Sequence, residues 1–163
     1  MPEFTVSVEI GRPIDIVERA FFHPDNMPCW TKDLARVEVV AGKIGEPGSV
    51  ARLHYVENGR PYVLEDRLLS HEPGKIVSQV SGSGMLIQVR TTMESIGDRT
   101  RVDFTWSGKG TAFPLNVILP FMGGKIRRSA REELETFKRL VETHGAVFPQ
   151  NALQSAESQP GKN

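Results

Sequence analysis

The sequence ARLHYVENGRPYVLEDRL, residues 51–68, decides the fold of this chain. Apolar and polar side chains alternate on both sides of Asn58-Gly59, and such alternation is typical of half-buried strands. Asn-Gly readily adopts positive φ at both central positions of a two-residue turn. The sequence therefore predicts a β-hairpin in which each strand has one apolar face.

The same alternation continues outward from this hairpin, from Arg36 to Lys109. Consecutive hairpins form a meander in which each strand pairs with its neighbour in antiparallel fashion. One apolar face per strand indicates a sheet that is covered on one side and solvent-exposed on the other. Further turns are predicted at 45–48, 71–74, 82–84 and 97–98.

Helical patterns lie before and after the meander. A strand at Phe4–Ile10 is followed by two short helices that begin at Pro13 and end near Trp30. After the meander, residues 126–144 have the apolar periodicity of a long amphipathic helix, which Gly145 ends. We predict an α+β helix-grip fold: a curved antiparallel sheet of about seven strands around a long C-terminal helix, with two short helices between the first two strands.

Length and composition suggest one domain at residues 1–146, because 163 residues suffice for a single core. Residues 147–163 are polar and aperiodic, which predicts a disordered tail. The chain has 20 basic and 20 acidic residues. That balance gives no broad electrostatic footprint for nucleic acid or an anionic membrane, so we expect no nucleic-acid partner. The sequence does not indicate the oligomeric state.

Location and cofactor use follow from what the sequence lacks. The N-terminus lacks the basic start and apolar run of a signal peptide, and the apolar stretch at 113–122 is too short to span a bilayer, so we expect a cytoplasmic protein. Cys29 is the only cysteine, which excludes an intramolecular disulfide and a Cys-rich metal site. The histidines do not have metal-ligand spacing, so we expect no metal and no cofactor.

Several segments resemble a known family. Phe21-Phe22-His23-Pro24 with Trp30 is similar to the first-helix region of the polyketide cyclase/dehydrase branch of the START-like (SRPBCC) superfamily, which has the Bet v 1-like helix-grip fold. The turn at 45–49 leading into 51–53, and the turn at 97–102, resemble other segments of that family. The resemblance covers roughly Phe4 to Gly145. It implies a central cavity: members bind sterols, lipids, polyketides or plant hormones, some are cyclases or dehydratases, and many have no known reaction.

A curved sheet that grips one helix leaves space when small residues point inward, and Ala51 and Thr91 favour such a cavity. Ligand pockets are mostly apolar with a few placed polar groups. We expect ligand contacts from the inward positions of the strands, from the second short helix, and from the long helix and its lead-in. These residues are Trp30, Leu53, Tyr55, Tyr62, Leu64, Asp66, Ile87, Val89, Phe104, Trp106, Phe121, Met122 and Ile126.

Asp66 is the ambiguous member of this set. Alternation places it on the apolar face with Leu64 and Leu68, where burial would raise its pKa and suit a general acid, a general base or an anchor for a ligand hydroxyl. A bulge or a register difference would instead place Asp66 in solvent, with Glu65 and Arg67 inward or flanking. The solvent-exposed position is our preferred interpretation.

The segment from Thr111 to Gly124 is apolar, is interrupted by Pro114 and Pro120, and ends in Gly123-Gly124. One hypothesis is a gate at the cavity mouth, with transient membrane contact through 113–122. Arg127, Arg128 and Arg131 would then hold an anionic head group. The alternative is a buried lead-in to the long helix, with the three arginines on its solvated face.

Three functions remain open from the sequence. The first is a carrier or sensor for an apolar small molecule of lipid, polyketide or aromatic type. The second is a cyclase/dehydratase-type enzyme, in which Asp66, Tyr55 and Tyr62 are the candidates for proton transfer. The third is a protein-interaction module of the same fold that uses 113–122 as its contact. Without a convincing acid/base pair in the sequence, the first function is preferred.

Overall fold

Seven antiparallel strands form one sheet in the computed structural model, which describes residues 2–149. In the sheet they are arranged as β1-β7-β6-β5-β4-β3-β2, so the first two strands of the chain form opposite edges. The strands are β1 (Glu3–Ile10), β2 (Leu34–Ala41), β3 (Val50–Glu57), β4 (Arg60–Glu72), β5 (Lys75–Gly82), β6 (Met85–Ile96) and β7 (Arg99–Gly110).

Helices connect the two edges and cover one face of the sheet. Helices α1 (Ile14–Phe22) and α2 (Met27–Trp30) run between β1 and β2. After β7 come α3 (Leu115–Ile118), a 3₁₀ turn (Leu119–Phe121) and the long α4 (Gly123–His144). The side chains of α4 that are buried in the core follow its apolar periodicity, with Phe137 and Val141 fully enclosed. The predicted helix-grip architecture is confirmed.

The central hairpin has the predicted geometry. Asn58 and Gly59 have φ of 51° and 78°, and these positive values match a two-residue hairpin turn. Across the hairpin, Leu53 lies opposite Leu64 and Tyr55 lies opposite Tyr62. Because directly opposed residues project to the same face, the turn fixes which side chains point toward α4.

The register of β4 corrects our preferred interpretation of Asp66. A bulge is present in β4, but it falls between Leu68 and Ser70, beyond Asp66. Asp66 lies opposite Ala51 on one side and Val80 on the other, and both neighbours face the inside of the sheet. Alternation therefore predicted the direction of Asp66 correctly, and the expected solvent exposure is wrong.

Ordered packing extends past the predicted domain boundary at residue 146. Phe148 is buried and contacts Phe137, with ring centroids 6.2 Å apart. The fully buried Asn26 holds this segment: its Nδ2 donates to the Ala146 carbonyl at 2.7 Å, and its Oδ1 accepts from the Phe148 N–H at 2.8 Å. The start of the tail at 147 is therefore wrong by at least two residues. The rest of the predicted tail, 150–163, lies outside the described residues.

Candidate functional site

A pocket of about 330 Å³ lies between the inner face of the sheet, α1 with α2, and α4. Its volume is at the lower end of the range of ligand pockets, and its wall is predominantly apolar. Val39, on the edge strand β2, is the one exposed residue among the described residues of the wall.

Ten of the thirteen predicted contact residues lie on the pocket wall. Alternation along the strands found the inward positions because a strand presents every second side chain to the same face. Their role as ligand contacts stays a prediction. The ten are Trp30, Leu53, Tyr55, Leu64, Asp66, Ile87, Val89, Phe104, Trp106 and Ile126.

The other three residues lie away from the wall, so their predicted position is corrected. Tyr62 stacks on Tyr55, with ring centroids 5.0 Å apart, and packs in a separate small cluster with Leu34. Met122 packs against the main core. Phe121 is 87 % exposed because the 3₁₀ turn directs its side chain outward.

Asp66 is a partly buried carboxyl group on this largely apolar wall. Burial raises the pKa of Asp66 to about 6, and a hydrogen bond from the Ser78 side chain opposes that increase. Ser78 also lies on the wall. Near neutral pH the group therefore lies close to its titration point and can either hold a proton or accept a hydrogen bond.

Glu133, on α4, is a second carboxyl group on the wall, and our sequence analysis missed it. Burial raises the pKa of Glu133 to about 7, while the backbone N–H of Lys32, 3.2 Å from Oε1, lowers it. The available signal was its position: Glu133 follows Ile126 by seven residues and Ala130 by three, so it shares their helix face. Apolar periodicity alone does not identify a charged residue on that face.

Tyr55 lies between these two carboxyl groups. Burial, followed by the nearby Glu133 carboxylate, raises the pKa of Tyr55 far above its usual range, and Asp66 adds to the same effect. The phenol therefore stays protonated at any physiological pH and can donate a hydrogen bond. The wall combines one fixed donor with two carboxyl groups that titrate near neutrality.

Three polar atoms around the pocket find no hydrogen-bond partner among residues 2–149. They are Trp30 Nε1, Thr31 Oγ1 and His23 Nδ1, and all three residues lie on the wall. Trp30 and Thr31 are each only 9 % exposed. All three atoms are closed off from water-sized molecules by neighbouring protein atoms, so other atoms of these residues form the pocket surface.

Positive charge is scarce on this wall. Within the described part of the chain, the wall residues include no lysine or arginine, and His23 is their one basic side chain. Arg127, Arg128 and Arg131 of α4 are exposed and lie off the wall. The three arginines are therefore solvated, as the alternative interpretation of this region predicted.

His71 anchors the turn that contains Gly45. Its Nδ1 is 2.7 Å from the Gly45 carbonyl oxygen, and its Nε2 is 2.7 Å from Glu18 Oε1 on α1. Because both partners can only accept, both ring nitrogens donate, as they do in the protonated imidazole. The hydrogen bond to Gly45, with a further contribution from Glu18, raises the pKa of His71, while burial opposes it. Gly45 itself lies on the pocket wall.

The segment before α4 does not match either predicted form. We use "apolar patch" for Phe113, Val117, Ile118 and Phe121, which are all exposed, Phe113 to 81 %. Only Leu119 of this segment is buried, at 2 % exposure, so a fully buried lead-in is wrong. Among the described residues, none from 111 to 124 lies on the pocket wall, and the structure therefore places no gate there.

Residues 2–149 contain neither a candidate metal cluster nor a candidate membrane-spanning helix. No group of three or more His, Cys, Asp and Glu side chains there could hold a metal ion. No helix in the same range is both long enough and apolar enough to cross a membrane.

Comparison with known proteins identifies a family and a set of similar folds. A family model described as polyketide cyclase/dehydrase and lipid transport matches residues 1–142. No curated protein sequence matches the chain.

Solved structures are similar to this chain at low sequence identity. A START superfamily protein from Mycobacterium smegmatis has a TM-score of 0.73 at 14 % identity, covering 86 % of this chain and 97 % of its own. The Zhui aromatase/cyclase from Streptomyces sp. R1128 has a TM-score of 0.71 at 14 % identity, covering 84 % and 91 %. Ara h 8.0201 has a TM-score of 0.67 at 17 % identity, covering 87 % and 98 %. At such identities the likeness shows the fold alone.

Proposed function

This chain belongs to the polyketide cyclase/dehydrase and lipid transport family, and we propose that it binds an apolar small molecule in the pocket, as a carrier or sensor. The observation that carries the proposal is the pocket itself: a largely apolar space of about 330 Å³ in which a few polar groups converge. The fold and the family are those of small-molecule binders, which supports the same function. The cytoplasmic location expected from the sequence stays a prediction.

Native mass spectrometry of freshly purified protein, with organic extraction of what is bound, tests this proposal. We expect a stoichiometric apolar molecule that is lost in Ala51→Phe, because the larger ring would fill the space beside Asp66. Val63→Phe is the matched control, since Val63 is exposed on the neighbouring strand. Retention of the molecule in a folded Ala51→Phe variant would place its site elsewhere.

Intrinsic fluorescence gives a second readout. The chain has two tryptophans, Trp30 and Trp106, and both lie on the pocket wall. Occupation of the pocket changes the surroundings of both indoles and should shift their emission. A ligand that binds without changing either tryptophan's emission would contradict binding in the pocket.

A second candidate function is a dehydratase-type enzyme, and the two titratable carboxyl groups on the wall favour it. In that reaction, ionised Asp66 would take a proton from the carbon next to a ketone. Protonated Glu133 would give its proton to the β-hydroxyl, which leaves as water as the double bond forms.

Incubation with β-hydroxy ketones separates the two functions. An enzyme releases a product lighter by one water, and either Asp66→Asn or Glu133→Gln should abolish that product. A carrier returns the added molecule with unchanged mass. The Glu135→Gln variant, altered at an exposed position of α4, serves as the control.

The apolar patch supports a further proposal, that the protein touches membranes transiently when it collects or delivers its ligand. Large exposed apolar side chains next to the exposed Lys125, Arg127 and Arg128 fit an anionic bilayer surface. Flotation with phosphatidylcholine vesicles, with and without phosphatidylglycerol, tests this. We expect flotation that increases with phosphatidylglycerol and is lost in Phe113→Ser/Phe121→Ser. Absence of flotation would favour a protein contact at the patch.

A further inference from the structure

The polar groups of the pocket define the kind of molecule that fits it, an inference that rests on the proposed binding function. The wall has two carboxyl groups, Asp66 and Glu133, and among its described residues no lysine or arginine. A buried anion is costly unless a cation or several donors pair with it. A ligand carboxylate or phosphate would meet carboxyl groups here, and the positive charge nearby, that of Lys32, lies off the wall and already acts on Glu133.

Trp30 Nε1 and Thr31 Oγ1 have no hydrogen-bond partner within residues 2–149, but neighbouring protein atoms close both off from water-sized molecules. A ligand in the pocket therefore cannot contact either atom in this structure, and neither atom selects the ligand.

The two carboxyl groups determine which polar group of a ligand can lie beside them. When ionised they only accept, so the ligand group near them must donate. The backbone N–H of Lys32 already donates a hydrogen bond to Oε1 of Glu133, and the Ser78 side chain donates one to Asp66. Each carboxyl group can still accept further hydrogen bonds. A hydroxyl group meets this need, because it can donate to a carboxylate.

We infer that the pocket takes an uncharged apolar molecule, for which a hydroxyl group is the best-suited polar group, and that it rejects molecules bearing a carboxylate or phosphate. Simple fatty acids and phospholipid head groups are thereby excluded from the pocket. Aromatic or alicyclic alcohols and ketones fit it. The selection arises from the missing cation as much as from the groups that are present.

Three naphthalene probes of similar size test this inference by calorimetry at neutral pH. The probes are 2-naphthol, methyl 2-naphthoate and 2-naphthoate. We expect the two neutral probes to bind and 2-naphthoate to bind at least roughly tenfold more weakly than its methyl ester. If 2-naphthoate binds as tightly as the ester, the inference is overturned while the binding function stands. If none of the three binds, the proposed binding function itself fails.

Variants identify the groups responsible for the discrimination. In Asp66→Asn or Glu133→Gln, the affinity gap between the ester and 2-naphthoate should narrow, because each change removes a negative charge and retains the shape. Glu135→Gln, on the exposed side of α4, should leave the gap unchanged. An unchanged gap in both pocket variants would overturn the role of the carboxyl groups.

Discussion

Glu133 is the residue whose ionisation most directly links the pocket to stability. Its pKa rises from 4.5 in the unfolded chain to about 7 in the folded protein, mainly because it is buried. Below about pH 4 both states hold the proton and the residue has no net effect. Between these pKa values the unfolded state ionises first, so folding becomes less favourable as the pH rises, and the loss is complete above about pH 7.

We therefore expect Glu133→Gln to stabilise the protein by about 1–3 kcal/mol at about pH 8 and to have little effect at about pH 4. The amide removes the buried charge and still accepts the hydrogen bond from Lys32 N–H. Urea unfolding at the two pH values measures the difference. Glu135→Gln, at an exposed position, should show no such pH dependence, and an equal gain for Glu133→Gln at both values would contradict the burial effect.

The His71 imidazole, which makes two hydrogen bonds, stabilises the folded protein when it is charged, whereas a charged Glu133 destabilises it. A raised pKa in a base means that its stabilising effect is fully present below the unfolded value of 6.5 and is lost as the pH rises through the folded value. We expect His71→Gln to lower the free energy of unfolding by about 1–2 kcal/mol at about pH 5, and by less at about pH 9. Chemical unfolding curves at both pH values provide the measurement.

The exposed His144 offers a control for that experiment, since His144→Gln alters a histidine that lies at the end of α4. A loss for His71→Gln that is the same at both pH values would mean that packing against Phe22, whose ring centroid is 4.7 Å away, dominates over the charged hydrogen bonds.

At this scale, sequence reasoning worked for side chains whose direction follows from alternation. It placed Leu53, Tyr55 and Leu64 correctly, and alternation alone was also right for Asp66. It missed Glu133 and the contacts of His71 because both depend on partners far along the chain. Glu18 and Gly45 are 53 and 26 residues from His71, and nothing local indicates that they meet.

Among the elements, the short segment after α4 matters more than its composition suggests. Asn26 donates to Ala20 O at 3.1 Å and to Ala146 O at 2.7 Å, and it accepts from Phe148 N–H. One amide thus joins the end of α1 to the chain beyond α4. The fully buried Asn26 side chain makes three hydrogen bonds, so its loss leaves several polar groups unpaired.

We expect Asn26→Ala to lower the free energy of unfolding by about 2–4 kcal/mol. Asn116→Ala, at an exposed position of α3, is the matched control and should change stability little. The comparison requires only thermal or urea unfolding of the two variants. Similar stabilities for both variants would show that the segment around Phe148 adds nothing to the core.

The elements also show where sequence patterns fail to predict the structure. The strands and α4 have strong periodicity and were predicted well. The segment before α4 has no usable period, because Pro114 and Pro120 interrupt it, and its exposure could not be read from its apolar composition. Phe148 belongs to the short apolar run Ala146-Val147-Phe148, and a run of three residues carries no periodic signal.

For the whole molecule, occupation of the pocket should be visible as stability. A ligand that binds only the folded state, present at about 100 times its Kd, adds about 2.7 kcal/mol to the free energy of unfolding. For a chain of this size we expect 2-naphthol to raise Tm by roughly 5–10 °C under that condition. Calorimetric scans with and without the probe measure the shift. A Tm that stays constant at saturation would indicate binding to folded and unfolded chains alike.

The overall topology was predictable because the order of elements is distinctive and each hairpin is local. No local pattern in the sequence indicated which strand β1 pairs with. Strand β1 pairs with β7, so that Thr5 lies beside Thr105 across a sequence separation of 100 residues. That pairing determines which strand completes the sheet next to Trp106.

This long-range pairing sets an order of events for a chain leaving the ribosome. The hairpins from β2 to β7 involve neighbours and can form as they emerge, whereas β1 waits with an unpaired edge until β7 is complete. Helix α4 is synthesised later still, and it supplies Ile126, Ala130 and Glu133 to the pocket wall. The cavity therefore comes into existence after nearly all of the sheet has been made. A small molecule can trap the finished protein, but it has nothing to hold during the earlier steps, when the waiting strand edge is most exposed to aggregation.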